Sequence, residues 1–256
     1  MLGQKNGRRR DLLILAALFT GGAVPIQLVT LSFGYAQYYL GIPGGPKAIM
    51  AAHQFAVYYL PFVYIPALVT LCAIALYCRR LYPDVTRRIA VGIAVGAVAT
   101  LVLDGVRQAG VVHGWLPGDT PVLFGKMVTA SKDFAVFYPV GLFVHYMNGA
   151  NFGLFYAFMW GRRESFRGAA KWGVIWLLLM ELGMMTAPPM GPMTGLFGSR
   201  FAWPQLFLVT LLAHILCGLA MGLLSQYFLG ERERGGIYDW LLGRKPGSSS
   251  PGVFSR

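Results

Sequence analysis

The chain has 256 residues, of which 56% are hydrophobic and only 12% are charged, and its mean hydropathy is +0.55. A soluble domain carries roughly 25% charged residues, so this composition excludes an ordinary soluble enzyme. The formal net charge of +12 comes largely from arginine and lysine clusters at the ends of apolar stretches. That placement is typical of membrane proteins and argues against a nucleic-acid partner.

Six apolar stretches are long enough to cross a bilayer as helices, which takes about 20 residues each. The predicted spans are residues 12–33, 51–77, 89–111, 134–160, 172–187 and 204–229. The sequence therefore predicts an all-α, polytopic membrane helix bundle with six transmembrane helices. Residues 1–11 form a basic N-terminal segment, residues 12–229 the transmembrane domain, and residues 230–256 a partly disordered tail.

The first two spans carry features that qualify this assignment. Arg9 and Arg10 precede an apolar run, as in a twin-arginine export signal. A cleavable signal ends in small residues, whereas this run continues past Pro25, so we expect the first span to be retained. In the second span, Pro61 and Pro66 predict a kink because proline removes a helical hydrogen bond.

The distribution of basic residues predicts the orientation of the bundle. Clusters fall before span one, between spans two and three, between spans four and five, and after span six. Their members are Arg8, Arg9, Arg10, Arg79, Arg80, Arg87, Arg88, Arg162, Arg163, Arg167, Lys171, Arg232, Arg234, Arg244 and Lys245. Both termini are therefore expected on the cytoplasmic side of a bacterial inner membrane, with anionic lipid as the partner of these clusters.

Spans three and four share a pattern with spans five and six. In each pair the outgoing helix has a glycine eight residues before an acidic residue, and the returning helix carries His-x3-Gly-x3-Gly. The first copy is Gly96, Asp104, His145, Gly149 and Gly153; the second is Gly173, Glu181, His214, Gly218 and Gly222. We interpret residues 89–160 and 172–229 as an internal repeat of helix hairpins related by an axis along the membrane normal.

The polar members of this repeat are predicted to lie near the bilayer centre. His145, His214 and Glu181 each lie roughly ten residues into a span, and polar groups there face the bundle interior and find partners. We expect Glu181 to hydrogen-bond one of the histidines. Asp104 and Arg107, three residues apart, predict a structural ion pair, unless Asp104 faces a cavity and Arg107 extends to the surface.

Three functions fit these residues. The first is electron transfer through a b-type haem held by His145 and His214, with Gly149 and Gly218 making room for the macrocycle. The second is a copper, iron or zinc site, a proton relay or a small-solute pathway built from His145, His214 and Glu181. The third is a scaffold whose polar residues only link helices.

A group of methionines adds a weaker argument for a soft metal such as copper. They are Met180, Met184, Met185, Met190 and Met193. Thioethers bind Cu(I), but methionine also fills gaps in apolar cores. The identity of any cofactor is left open at this point.

A resemblance extends from Gly92 to Leu224. The segment Gly92 to Thr100 and the later His214 motif are similar to those of small bacterial membrane proteins of unknown function. The resemblance implies the topology and an inner-membrane location. Taken together, the sequence predicts an accessory or electron-transfer subunit of a membrane complex, associated with other subunits or with itself and without catalytic activity of its own.

Overall fold

The computed structural model describes residues 2–243, with side chains described from residue 8 onward. All the regular secondary structure in this part of the chain is helical. Five helical segments are long and apolar enough to cross a membrane, and a sixth is counted if one bent helix pair is a single span. The prediction of an all-helical, multi-pass membrane protein is confirmed at this level.

The helices follow one another with short connections. In chain order they are α1 (Leu2–Leu18), α2 (Val24–Gly34), α3 (Gly45–Tyr59), α4 (Ile65–Leu81), α5 (Pro83–Val112), α6 (Thr120–Thr129), α7 (Phe134–Met159), α8 (Phe166–Thr186), α9 (Met190–Thr194), α10 (Gln205–Phe228) and α11 (Ile237–Leu241). Helices α5, α7, α8 and α10 correspond to the last four predicted spans.

The first two membrane segments are longer than predicted. They run from Arg8 to Tyr39 and from Gly45 to Leu81. Wide π-helical turns at Phe19–Ala23 and Leu60–Tyr64 join α1 to α2 and α3 to α4. Such turns shift the hydrogen-bond pattern beside Pro25, Pro61 and Pro66, so each segment stays helical through its prolines. The first segment also gains a π-helical turn at Tyr35–Tyr39, beyond its predicted end.

The fourth predicted span is preceded by a helix, α6, that lies outside all six predicted spans. Helix α6 is bent by 109° relative to α7 across a break of four residues. The two helices touch backbone to backbone, since a Cβ on Gly125 would collide with the carbonyl of Phe137 and one on Gly141 with that of Pro121. Glycine at both positions allows this approach.

The bundle has two distinct ends. At the basic end, Arg10 pairs with Asp84, and the buried Arg88 guanidinium donates to the carbonyl oxygens of Ala157 (2.6 Å) and Gly235 (2.8 Å). The opposite, loop end carries the connections formed by residues 40–44, 113–119 and 187–204.

Part of the C-terminal tail is docked on the basic end. The Arg162 backbone N–H donates to the Glu233 carbonyl at 2.9 Å, and the Gly235 N–H donates to the Arg162 carbonyl at 3.0 Å. Arg163 also pairs with Asp239 of α11 at 2.6 Å. Several basic residues expected to face lipid therefore bind the protein's own tail. The disorder predicted for residues 245–256 lies outside the described residues.

Candidate functional site

Glycines bring α5 and α7 into backbone contact on the side of the site nearer the basic end. A Cβ on Gly96 would collide with the carbonyl of Gly149, and one on Gly153 with the carbonyl of Gly92 and the backbone of Gly96. Small residues at this spacing let two helices approach closely in lipid. The contact fixes the rotation of both helices, and with it the direction of the side chains one turn further along.

The same contact occurs between α8 and α10. A Cβ on Gly173 would collide with the carbonyl of Gly218, and one on Gly222 with the carbonyl of Ala169. In both helix pairs, the acidic residue lies eight positions after the outgoing glycine, and the histidine lies four before the first returning glycine. Both acid–histidine pairs are therefore placed by equivalent glycine contacts.

The first pair is Asp104 and His145. Asp104 Oδ1 accepts from His145 Nε2 at 2.9 Å and from Arg107 Nε at 2.8 Å, while the Tyr146 hydroxyl donates to Oδ2 at 3.1 Å. Arg107 also donates to Asp119 at 2.5 Å, so one guanidinium is shared by two carboxylates. His145 and Arg107 are each 7% exposed. Asp104 therefore both pairs with Arg107 and orients the His145 ring.

The second pair is Glu181 and His214. The Thr210 hydroxyl donates to Glu181 Oε1 at 2.6 Å, and Glu181 Oε2 lies 3.0 Å from His214 Nδ1. That nitrogen donates to the Thr210 carbonyl at 2.8 Å, because a carbonyl oxygen can only accept. Glu181 Oε2 has no hydrogen-bond partner of good geometry, although Glu181 is only 2% exposed.

Both histidines line one cavity of about 530 Å³. It extends from the connections at the loop end to Thr100, Phe152 and Cys217, where the glycine contacts close the bundle. Most of its wall is apolar and includes Val29, Phe33, Ile49, Leu103, Leu116, Leu123, Phe124, Met180, Met184, Met190, Met193, Val209 and Ala213. The polar lining side chains are few: Gln27, Thr30, Gln37, Thr100, Arg107, Asp119, Thr120, Asn148, Thr210 and His214, with His145.

The structure changes the predicted grouping of these residues. His145 and His214 border the same cavity. Of these two histidines, Glu181 contacts only His214, and His145 is bound to Asp104 instead. Within residues 8–243, no group of three or more His, Cys, Asp or Glu side chains is placed to hold a metal ion. The three-ligand metal site of His145, His214 and Glu181 is corrected accordingly: each histidine is engaged by the acid of its own helix pair.

The glycines below the histidines also pack against neighbouring helices. A Cβ on Gly149 would collide with Thr100 Oγ1, and one on Gly218 with the Gly173 carbonyl. Gly149 and Gly218 therefore serve helix contact, and Gly149 also lines the cavity. Their predicted role beside a macrocycle stays a prediction.

Sequence reasoning missed three polar members of the site. Asp119 lies in a Gly/Pro-rich connection, where hydropathy gives no sign that it reaches the cavity. Thr210 is four residues before His214, so the helical period alone places it on the same face. Gln37, 7% exposed, donates to the carbonyls of Pro43 and Pro189, both at 2.9 Å, and joins two connections at the cavity mouth.

Comparison with protein-family models, with curated proteins and with solved structures finds no match to this chain. The resemblance inferred from the Gly92 and His214 motifs stays a prediction. The cavity and the two acid–histidine pairs are the features that bear on function.

Proposed function

We propose that this chain is an integral membrane carrier that binds a small, largely apolar molecule in the central cavity. The observation that supports the proposal is that one cavity of about 530 Å³ is bordered by both His145 and His214. Ligand sites are typically cavities of about 300–1,000 Å³ with mostly apolar walls and a few fixed polar groups. This cavity has that size and composition.

The two histidines supply the fixed polar groups. Asp104 holds the His145 ring through Nε2, and the Thr210 carbonyl holds the His214 ring through Nδ1, with Glu181 Oε2 3.0 Å from that nitrogen. A carboxylate or carbonyl that accepts from one ring nitrogen fixes the orientation of the imidazole. Each imidazole then offers its other ring nitrogen to a ligand, and neither ring has to reorient when the ligand binds.

The proposal includes the internal repeat and the predicted orientation. The equivalent glycine contacts and acid–histidine pairs of α5–α7 and α8–α10 support a duplicated hairpin, an arrangement that many carriers use to alternate access to a central site. The cavity reaches the loop end, while the glycine contacts close the opposite side. With the basic end in the cytoplasm, this is a state open to the outside of a bacterial inner membrane.

Cysteine labelling tests whether water and solutes reach the cavity. In a variant without Cys72, Cys78 and Cys217, we expect Met184→Cys to react with a membrane-impermeant cationic thiosulfonate. The matched control is Leu182→Cys on the same helix, because Leu182 is 49% exposed and does not line the cavity. In a bilayer that surface faces lipid, so the control should react slowly.

Filling the cavity gives the second part of this test. Ala213→Phe adds a ring beside His214 and should both slow the labelling of Met184→Cys and remove any small molecule that co-purifies with the protein in stoichiometric amount. Equal labelling of both cysteines, or labelling unaffected by Ala213→Phe, would contradict a solute-accessible cavity. A scaffold that associates with other subunits predicts that outcome.

The second candidate function is electron transfer through a bound haem. His214 favours it, because its Nδ1 donates to a carbonyl and its Nε2 is left for a metal, as in axial haem ligands. His145 favours it less, since its Nε2 is bound to Asp104. The test is the absorption spectrum of the protein expressed with added haemin. A Soret band that is lost in His214→Ala supports haem binding, and a colourless protein contradicts it.

A further inference from the structure

The carboxylates at the cavity outnumber the permanent cations. Asp119 lines the cavity, and Asp104 and Glu181 lie directly behind the two lining histidines. Among the described residues that line the cavity or bond to a lining side chain, Arg107 is the one arginine or lysine, and it is already shared by Asp104 and Asp119. Three carboxyl groups therefore have one permanent cation among them.

An excess of carboxylates over cations is energetically unfavourable inside a membrane. A buried charge without a partner loses its hydration and gains nothing in return. A cation that enters the cavity reduces the imbalance. Tyr146 and Thr210, the other polar groups that contact Asp104 and Glu181, carry no positive charge.

The polar atoms at the cavity that lack a hydrogen-bond partner also favour a ligand with donor groups. Of the described residues that line the cavity, two have a buried side-chain atom without a hydrogen-bond partner, and both atoms are oxygens: Gln37 Oε1 and Asn148 Oδ1. Glu181 Oε2, behind His214, is a third. The Gln37 amide orientation is fixed because its nitrogen donates to two proline carbonyls. Oxygens of this kind need a ligand that brings N–H or O–H donors.

The apolar wall also suits a cation. Phe33, Phe124 and Phe152 line the cavity, and aromatic faces attract ammonium groups. Methionine side chains on α8 and α9 add a polarizable surface that adapts to an apolar body. An anion, in contrast, would meet three carboxylates and one guanidinium that is already engaged.

We propose that the ligand is a lipophilic ammonium ion, that is, a protonated amine on a compact hydrocarbon body. This inference rests on the proposed binding of a small molecule in the cavity and adds its charge and its donor groups. The ammonium N–H groups would meet the unpartnered oxygens that line the cavity, Gln37 Oε1 and Asn148 Oδ1, and the hydrocarbon would lie against the aromatic and methionine wall.

Three probes of one shape separate charge from size. They are 1-aminoadamantane (a cation at neutral pH), 1-adamantanol (neutral) and adamantane-1-carboxylate (an anion). Binding to the protein in nanodiscs is measured by calorimetry, with empty nanodiscs of the same lipid as the blank. We expect the amine to bind about tenfold or more tightly than the alcohol, because hydrogen bonds to a charged group are the stronger ones. The carboxylate should bind most weakly.

Two variants assign the preference to the cavity. Glu181→Gln has the same shape as the wild type and should bring the amine and the alcohol to within about threefold of each other. Glu164→Gln removes an exposed carboxylate at the basic end, and it should leave the ratio unchanged. Thermal unfolding of each variant checks that it is folded.

The outcomes separate this inference from the proposed function. If the alcohol or the carboxylate binds as tightly as the amine, and Ala213→Phe abolishes that binding, the cavity binds solutes but the ammonium inference is wrong. If no probe binds in a way that Ala213→Phe prevents, the ammonium inference and the proposed carrier both fail. An amine preference that survives Glu181→Gln also overturns the inference.

Discussion

Arg107 shows how a single residue holds the site together. It is 7% exposed and donates to Asp104 at 2.8 Å and to Asp119 at 2.5 Å. The predicted i,i+3 pair with Asp104 is one of these contacts, whereas the contact with Asp119 could not be inferred from residue spacing. The planar guanidinium has five N–H donors in a fixed geometry, so its Nε and Nη1 bind Asp104 and Asp119 at the same time.

We expect Arg107→Met to lower the free energy of unfolding by about 3 kcal/mol, because it leaves two largely buried carboxylates without a partner. The measurement is denaturant or thermal unfolding in detergent. Arg107→Met combined with Asp119→Asn should be less destabilised than Arg107→Met alone, since one of the stranded charges is gone. A single variant as stable as the wild type would mean that the bridge contributes nothing.

At the scale of helices, glycine position decides which surfaces meet. Gly96 and Gly105 both lie on α5, yet a Cβ would collide with the Gly149 backbone at the first position and would meet no atom within 4 Å at the second. The pattern of glycines alone predicted close helix contact. Only the assembled bundle distinguishes the glycines that are needed for contact from those that are not.

The two glycines give opposite expectations for the same substitution. Gly96→Ala should destabilise the protein by about 1–3 kcal/mol, because the methyl group pushes α5 away from α7. Gly105→Ala should be neutral or stabilise it by up to about 1 kcal/mol through better helix propensity. Unfolding of both variants under one condition is the measurement. A similar loss at both positions would show that propensity, and not helix contact, is being measured.

At the scale of the whole molecule, the basic end joins distant parts of the chain. Arg88 is 4% exposed and connects α5, the end of α7 and the tail through the carbonyls of Ala157 and Gly235. The adjacent Tyr238 of α11 packs on Trp172, with ring centroids 4.6 Å apart. The tail is thus part of the folded bundle up to α11.

Removing the Arg88 side-chain contacts should release this segment. We expect Arg88→Met to speed chymotrypsin cleavage at Tyr238 several-fold in inverted membrane vesicles, because the local opening that cleavage requires becomes cheaper. Arg79→Met is the control, since Arg79 is exposed near the same end. Cleavage at the wild-type rate in Arg88→Met would indicate that other contacts hold the tail.

The sequence by itself determined most of the apolar helices and part of the polar site, namely Asp104, Arg107, His145, Glu181 and His214. Hydropathy and helix length are local properties, so the apolar segments and the depth of His145, Glu181 and His214 could be inferred from the chain alone. The sequence did not predict the extra helical length of the first two segments, because hydropathy does not report shifts in the hydrogen-bond pattern. It also did not predict helix α6, which lies before a sharp bend.

Only the tertiary structure decided which partner each polar group meets. Local spacing allowed Glu181 to bond either histidine, but the helix rotation set by the glycine contacts directs it to His214 and directs Asp104 to His145. Asp119 and Gln37 joined the site from connections that have no periodic pattern. Partner choice depends on how helices distant in sequence are rotated against each other, and that information is absent from any single segment.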